Sequence, residues 1–429
     1  MIDSEDIRLE QFRQLKKEIR GSKVYLIVGI DVAKAKHHAF FGTATGKTLF
    51  KRLVFENNIE GFELLLTRVH ALKAQHALDR VVFGLEPTAN YHKPLAEHLI
   101  KCGHLVVMVG GESIKSNRKL LDGRWNSNDT KDAANVADLI SQGKCLFYEY
   151  PAMAIRELRN LLSLKRRFKR QEHGLKVRIR NNLIAQYFPE LDKYYGNGEK
   201  QVLSIVRWSL NPSVIAGLDY EEFRRLVAPA LKTAAQRKRI ESIWRLAVES
   251  IGCEAGESLD FEGKMMADTL KQTREAIRAM DDRIEQICLG LPEYRYLLTI
   301  PGFGPDVLSR VLAAIGNPFR FHNAQHVLKL AGLDLSANRS GESSDRAVAV
   351  ISKKGKADLR YALYQAALIA ATRNQFFVNY YTNKLRGREK EKGIKTKMKV
   401  KLAAKMLIIA WNLMKKEEPL NPDYLDLDQ

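Results

Sequence analysis

The sequence has no apolar run approaching the roughly 18 residues that a membrane-spanning helix requires, and its charged amino terminus lacks the short apolar stretch of a secretion signal. Membrane spans are therefore not expected, and a soluble cytoplasmic protein is. Cysteine is scarce as well. Cys102, Cys145, Cys253 and Cys288 are scattered without CxxC spacing, so neither a zinc site nor a disulfide framework is suggested, and reduced thiols are expected. Acid is outnumbered: 50 Asp and Glu stand against 70 Lys and Arg, leaving a net charge of +20. Such a balance favours a polyanionic partner. What is present is length and apolar content. With 429 residues, 45% of them hydrophobic, the chain exceeds one ordinary core and predicts two or three domains.

Four carboxylates stand out by position. Val24 to Ile30 is a nearly continuous apolar run, as in a strand covered on both faces, and Asp31 closes it. KHHAFFGTAT and TLFKRLVFE read as two further strands joined by a turn at Gly42–Gly46. An amphipathic helix runs from Ile59 to about Leu78, with Phe62, Leu65, Val69 and Leu72 on one face. RVVFGLEPTANY returns as a short apolar strand that ends in Glu86. A helix from about Tyr91 and the strand HLVVMVG complete a βββαβαβ unit of RNase H-like type. In that topology the fourth strand lies beside the first, so Glu86 faces Asp31. Asp129 and Asp132, in SNDTKDAANVADLI, open a helix and share one face at i and i+3. A lone Asp at such a place is ordinarily a solvated or capping residue. Four of them in this order form a set that repels itself until a cation relieves it. Hard oxygen ligands suit Mg²⁺ or Mn²⁺, and a two-metal site serves phosphoryl transfer.

The positive charge is concentrated in two places. Residues 151–185 hold ten Lys and Arg against two acids, while Ile155, Leu158 and Leu162 keep a helical apolar spacing. A long basic helix with one apolar stripe suits an arm lying along nucleic acid, with Arg166, Arg167, Lys169 and Arg170 as contacts. Met266, Leu270, Ile277, Ile284 and Cys288 indicate a second long helix, which pairs with the first in an antiparallel hairpin or with a second subunit. The segment 200–260 reads as helical and carries no functional signal. LLTIPGFGPDVLSRVLAAIG reads as a helix-hairpin-helix whose Gly302 and Gly304 permit the turn and leave backbone N–H groups for phosphate. From Ile351 to Lys405 there are fifteen Lys and Arg against three acids, beginning with Lys353, Lys354 and Lys356 and interleaved with Tyr and Phe. Between these lies a polar loop, Leu335 to Arg346, with Ser336, Ser340, Ser343 and Ser344; by chemistry alone such serines are ordinarily turn residues.

GIDVAKAKH, GLEPTANY and NDTKDAANVADLI, followed by IPGFGP, IGNPFRF, LAGL and a Ser-Gly loop before ISKKGKADLR, resemble the IS one-ten family of insertion-sequence transposases, relatives of the Piv and MooV invertases. The likeness covers roughly residues 24–150 and 290–415. It implies an α/β, RNase H-like (RuvC-like) domain at 23–150 after a helical extension at 1–22, then a helical coiled-coil region at 151–290. A mainly α transposase domain with the helix-hairpin-helix follows at 291–429. It also implies that Asp31, Glu86, Asp129 and Asp132 form a DEDD metal set and that a serine before glycine is the nucleophile. Ser340 is the best match, with Ser343 and then Ser344 as alternatives, because Arg339 replaces the family's first hydroxyl residue and Glu342 stands where a second glycine is common. Double-stranded DNA at element ends and target, a bridge RNA and a homo-oligomer (dimer or tetramer) are the implied partners. Two other readings stay open: a RuvC-like nuclease that uses water, and a non-enzymatic nucleic-acid scaffold.

Overall fold

The computed structural model describes residues 4–121, 129–231, 233–336 and 350–421. The chain divides into two compact units, residues 1–151 and 152–429.

The first unit is built on a six-stranded mixed sheet. Its strands are β1 (Tyr25–Asp31), β2 (Lys36–Thr43), β3 (Thr48–Glu56), β4 (Arg80–Leu85), β5 (Leu105–Met108) and β6 (Leu146–Phe147), in the order β3-β2-β1-β4-β5-β6. β1 runs antiparallel to β2 and parallel to β4, and β4 runs parallel to β5. The expected neighbour of the first strand is thus present. The two-residue β6, antiparallel to β5, has no periodic signature in the sequence. The continuous apolar run of β1 is explained by cover on both faces. Leu26, Val28 and Ile30 join a core with Phe62, Leu65 and Val69 of α2 (Ile59–His76) and with Leu95 and Leu99 of α3 (His92–Lys101). Tyr25 and Ile27 join the opposite core with Leu15 and Ile19, which α1 (Ser4–Glu18) brings to the sheet, and with Val136 and Ile140 of α5 (Asp129–Ser141). α2 starts where the Asn58 side chain accepts from Gly61 N at 2.8 Å, satisfying one of the helix's orphan donors. One more helix, α4 (Gly111–Leu121), stands between β5 and α5.

The second unit is almost wholly helical. The basic helix α6 (Met153–Val177) continues through a π-helical stretch, Arg178–Ile184, and packs along the helix Glu257–Leu289. Three ion pairs, Lys165–Asp281 at 2.6 Å, Glu172–Arg274 at 3.1 Å and Arg178–Glu262 at 2.7 Å, run up one helix as they run down the other. The hairpin alternative is therefore the one adopted, within this chain and antiparallel. Ile179, Leu183 and Ile184 anchor one end in a core of smaller helices between residues 199 and 248. Leu158 and Ile284 belong to a separate core at the other end, with the helices Pro305–Ile315, Ala357–Arg373 and Ile394–Lys416. Among the described residues no helix is long and apolar enough to cross a membrane.

Candidate active site

A repeated triplet organises the sheet unit. Gly29-Ile30-Asp31 ends β1, Gly84-Leu85 ends β4 with Glu86 directly after it, and in the parallel register Gly29 pairs with Gly84 and Ile30 with Leu85. The Glu86 backbone N–H donates to the Ile30 carbonyl at 3.4 Å, extending the ladder so that Asp31 and Glu86 lie on adjacent strands roughly 5 Å apart. Side chains alternate along a strand, so each acid shares the face of its glycine, and that is the face on which α5 lies. The glycines determine how close α5 comes. A Cβ at Gly29 would fall on the Ala133 carbonyl oxygen and within 2.6 Å of the Ala137 nitrogen. One at Gly84 would strike the Ile140 Cδ1 and approach the Val136 Cγ1 at 3.1 Å. The helix is seated where two side chains are missing, its apolar stripe Ala133, Val136, Ala137 and Ile140 against the floor. This pair was overlooked in the sequence, although the recurrence of Gly-x-acid at the ends of two apolar runs is its visible trace.

The seat sets Asp132, which is buried, near Glu86. Burial, and after it the negative charge of Asp132, pushes the Glu86 carboxyl above its ordinary value, against the pull of Arg118 and Lys115. Arg118 comes from α4 and donates to the Asp132 carboxylate at 2.5 Å. Asn117 fastens the same helix to α5 by donating to Asn135 and to Asp138, each at 2.7 Å, and Asn135 returns a bond to the Ile114 carbonyl at 2.9 Å. Neither Arg118 nor this clamp was anticipated, since a mixed polar helix announces no contact. Asp129 opens α5, as expected, one turn before Asp132; only its backbone is described. His38 faces Asp31 across the β1–β2 pair. Among the described residues no group of three His, Cys, Asp or Glu side chains has metal-holding spacing; the Asp129 side chain, the fourth of the set, lies outside them.

The donor chemistry nevertheless fits a divalent ion. Asp31, Glu86 and Asp132 offer only hard oxygens, and both burial and the neighbouring Asp132 charge disfavour the ionised Glu86, a cost that a cation would relieve. Beside Glu86 the wall is bare: a Cβ added at Gly111 would meet its Oε1 at 3.4 Å.

In the helical unit, Ser340, Ser343 and Ser344 lie outside the described residues. The chain on either side is closed up. Leu335–Ser336 pairs with Val350–Ile351, Ser352 donates to Asp334 at 2.5 Å, and Lys353 N–H donates to the Gly332 carbonyl at 3.0 Å. Lys353, Lys354 and Lys356 follow directly and are exposed, as are Arg166, Arg167, Lys169 and Arg170 on α6. Lys169 pairs with Glu172 at 3.1 Å and Arg166 with Asp358 at 2.9 Å. Gly302, with φ of +87°, turns the chain from the helix Pro292–Leu297 toward Pro305–Ile315; a Cβ there would meet the Ala366 carbonyl oxygen at 2.5 Å, so the turn is packed closely on the Ala357–Arg373 helix. Gly304 precedes Pro305 at the head of the second helix.

Two transposase family models match the chain. One, for the DEDD transposases of IS110 type, spans residues 28–189 and so includes all four carboxylates. The other, for transposases of the IS116/IS110/IS902 family, spans residues 294–382. The chain belongs to the IS110 family of transposases. The DEDD match implies an RNase H-like fold for the sheet unit and suggests divalent-metal use in general terms. Among relatives, this IS110-family chain is 23% identical over 83% of its length to the insertion element IS110 43.6 kDa protein of Streptomyces coelicolor, covering 87% of that protein. It is 22% identical over 92% of its length to the IS116 44.8 kDa protein of Streptomyces clavuligerus, covering 96% of it. It is 30% identical to the pilin gene-inverting protein of Moraxella lacunata over 36% of its own length, and there it spans about half (48%) of the relative.

Proposed function

We propose that this chain is a DNA recombinase that cuts and rejoins insertion-element ends and target DNA through a phosphoserine link. The observation that carries the proposal is the pairing of Gly-x-acid ends on adjacent parallel strands beneath a helix that bears Asp132. That arrangement gathers acids where nothing in the packing requires them, and in a strongly basic chain. In this reading Asp31, Glu86, Asp129 and Asp132 hold Mg²⁺ or Mn²⁺, which when bound supplies positive charge at a phosphoryl oxygen and eases ionisation of a nearby hydroxyl. The chain's own part is then defined. Ser340 Oγ loses its proton and forms a bond to phosphorus, the P–O3′ bond breaks, and the departing 3′-oxygen takes up a proton to become a free hydroxyl. Attack by another strand's 3′-hydroxyl reverses these bonds and releases the serine. An unassisted hydroxyl is a poor nucleophile, so the serine acts on the phosphate that the carboxylate set serves, in a homo-oligomer. The basic helices hold the double-stranded DNA and a bridge RNA that pairs with both donor and target. The sheet unit is RuvC-like, the protein is cytoplasmic, and the helical unit ends in the transposase domain with its helix-hairpin-helix.

A denaturing gel tests this. Purified protein is incubated with Mg²⁺, element-end and target DNA and RNA transcribed from the element's flank, beside Ser340→Ala, Ser343→Ala and Asp31→Ala. A covalent protein–DNA adduct absent from Ser340→Ala and Asp31→Ala but kept in Ser343→Ala is expected. Loss with Ser343→Ala instead moves the nucleophile there. Cleavage with no adduct would replace the reading by a RuvC-like endonuclease that uses water, and absence of any metal-dependent cleavage would leave a binding scaffold.

A further inference from the structure

In the helical unit, α6, the Pro305–Ile315 helix and the start of the Ala357–Arg373 helix enclose a cleft of about 290 Å³. Its polar lining is Arg159, Arg166, Arg310 and Lys356, with Ser163 and one acid, Asp358. Four cations from segments far apart in sequence are thus held around one opening against a single carboxylate. Arg159 and Arg310 have structural work in holding the helices. Arg159 donates to the Ala313 carbonyl at 2.6 Å, one of the last-turn carbonyls of its helix, and Arg310 makes a two-pronged bond to Asp306 at 3.1 Å for each prong.

Arg166 differs. Its guanidinium pairs with the Asp358 carboxylate at 2.9 Å, and both side chains are about half exposed, 49% and 45%. An ion pair so open to water contributes little to holding two helices together. The carboxylate sits against the guanidinium as a phosphate oxygen would, and a guanidinium fork binds phosphate in two-pronged fashion better than it holds a single carboxylate oxygen. None of the residues lining the cleft is aromatic, and its apolar wall is Leu162, Ala313, Ala314, Ala357 and Leu359. There is nothing for a base to stack on, so the ligand is a backbone phosphate and the contact is indifferent to sequence.

We infer that this cleft is a docking site for a nucleic-acid backbone phosphodiester, held by Arg166 and Lys356, and that Asp358 occupies the phosphate's place until a strand arrives. The inference rests on the transposase reading only in that nucleic acid is the polyanion presented. It concerns binding, and it involves neither the carboxylate set nor the serine.

The test is equilibrium binding of the full chain to fluorescent random-sequence duplex DNA and, separately, to random-sequence RNA. Binding is measured by anisotropy across a salt series in EDTA, so that cleavage plays no part. Arg166→Ala should weaken binding roughly three- to tenfold regardless of sequence and flatten the slope of log K against log salt by about 0.9, one phosphate contact. Asp358→Asn should tighten binding several-fold. Glu241→Gln, which removes an equal charge from an exposed pair with Arg245 in the same unit, serves as the charge-matched control and should tighten it less. A gain with Asp358→Asn cannot come from misfolding. An effect confined to the duplex identifies the phosphate as that of substrate DNA, and one confined to RNA as that of a guide strand. The proposal is overturned if Asp358→Asn binds no better than Glu241→Gln, or if Arg166→Ala leaves both affinity and slope unchanged.

Discussion

The two units place charge by different means. In the sheet unit the acids are set by main chain: Asp31 and Glu86 leave the ends of two strands in fixed register, and Asp132 arrives on a helix whose height is decided by Gly29 and Gly84. In the helical unit the cations sit at the ends of long, exposed side chains, and Arg166 and Lys169 are held by partners they could exchange. The contrast matches what the proposed function would ask of each. Groups that share an ion must be held to within about half an ångström, and only backbone geometry and close packing give that. Groups that follow a flexible polyanion gain from long stems that can change partners.

Four substitutions break or sharpen the contrast. Gly29→Ala should do the most damage, because the new methyl meets main-chain atoms of α5 that cannot swing aside. We expect at least a roughly hundredfold loss of strand cutting and loss of the Mg²⁺-induced rise in melting temperature, with a stability cost of about 1–3 kcal/mol. Wild-type cutting by this variant would show that the helix seat does not control the acids. Gly84→Ala meets the movable end of Ile140, so its cost should be near 1 kcal/mol, and Ile140→Val should restore part of it. The denaturation midpoints of the two single variants and the double variant measure that coupling directly.

Arg118→Ala ranks third. It removes the cation resting on Asp132, so the metal-free protein should lose about 1 kcal/mol, while divalent-ion affinity, read by titration calorimetry, should rise. An unchanged or weaker affinity would mean that Arg118 does not compete with the metal. Glu86→Gln should have the mildest effect in EDTA. The folded-state pKa of Glu86 is raised, so the native protein binds more protons there than the unfolded chain, and stability falls as the pH climbs from the ordinary carboxylate range through the raised value. The glutamine variant should lack that component, melting at or above wild type near neutrality while losing its response to Mg²⁺. Melting curves across pH in EDTA would contradict this if wild type and variant ran parallel.

Much of the sheet unit was legible because its signals are local or follow from known topology. The apolar run before Asp31, the return at Glu86 and the i, i+3 spacing of Asp129 and Asp132 each lie within a few residues, and β4 beside β1 follows from the strand-helix order. The two long helices declared themselves by apolar spacing, but only the sequence of ion pairs along them identifies the partner as intramolecular. What escaped reading is tertiary. Arg118 meets Asp132 because α4 folds back on α5 through Asn117 and Asn135, and no periodicity records that. The π-helical turn at Arg178–Ile184 changes which side chains face the core without changing composition. The glycine seat was written in the sequence but looked like ordinary strand glycine until the helix above it was in view.

That seat also ties the acids to the strand register. Side chains alternate along a strand, so a slip of one residue between β1 and β4 would turn glycine and acid together to the far side of the sheet. The slipped strand's half of the floor for α5 and the acid beside it would be lost in the same step. In the reading proposed above, the metal-holding set and the seat that places it would therefore form together, with the alignment of the two strands.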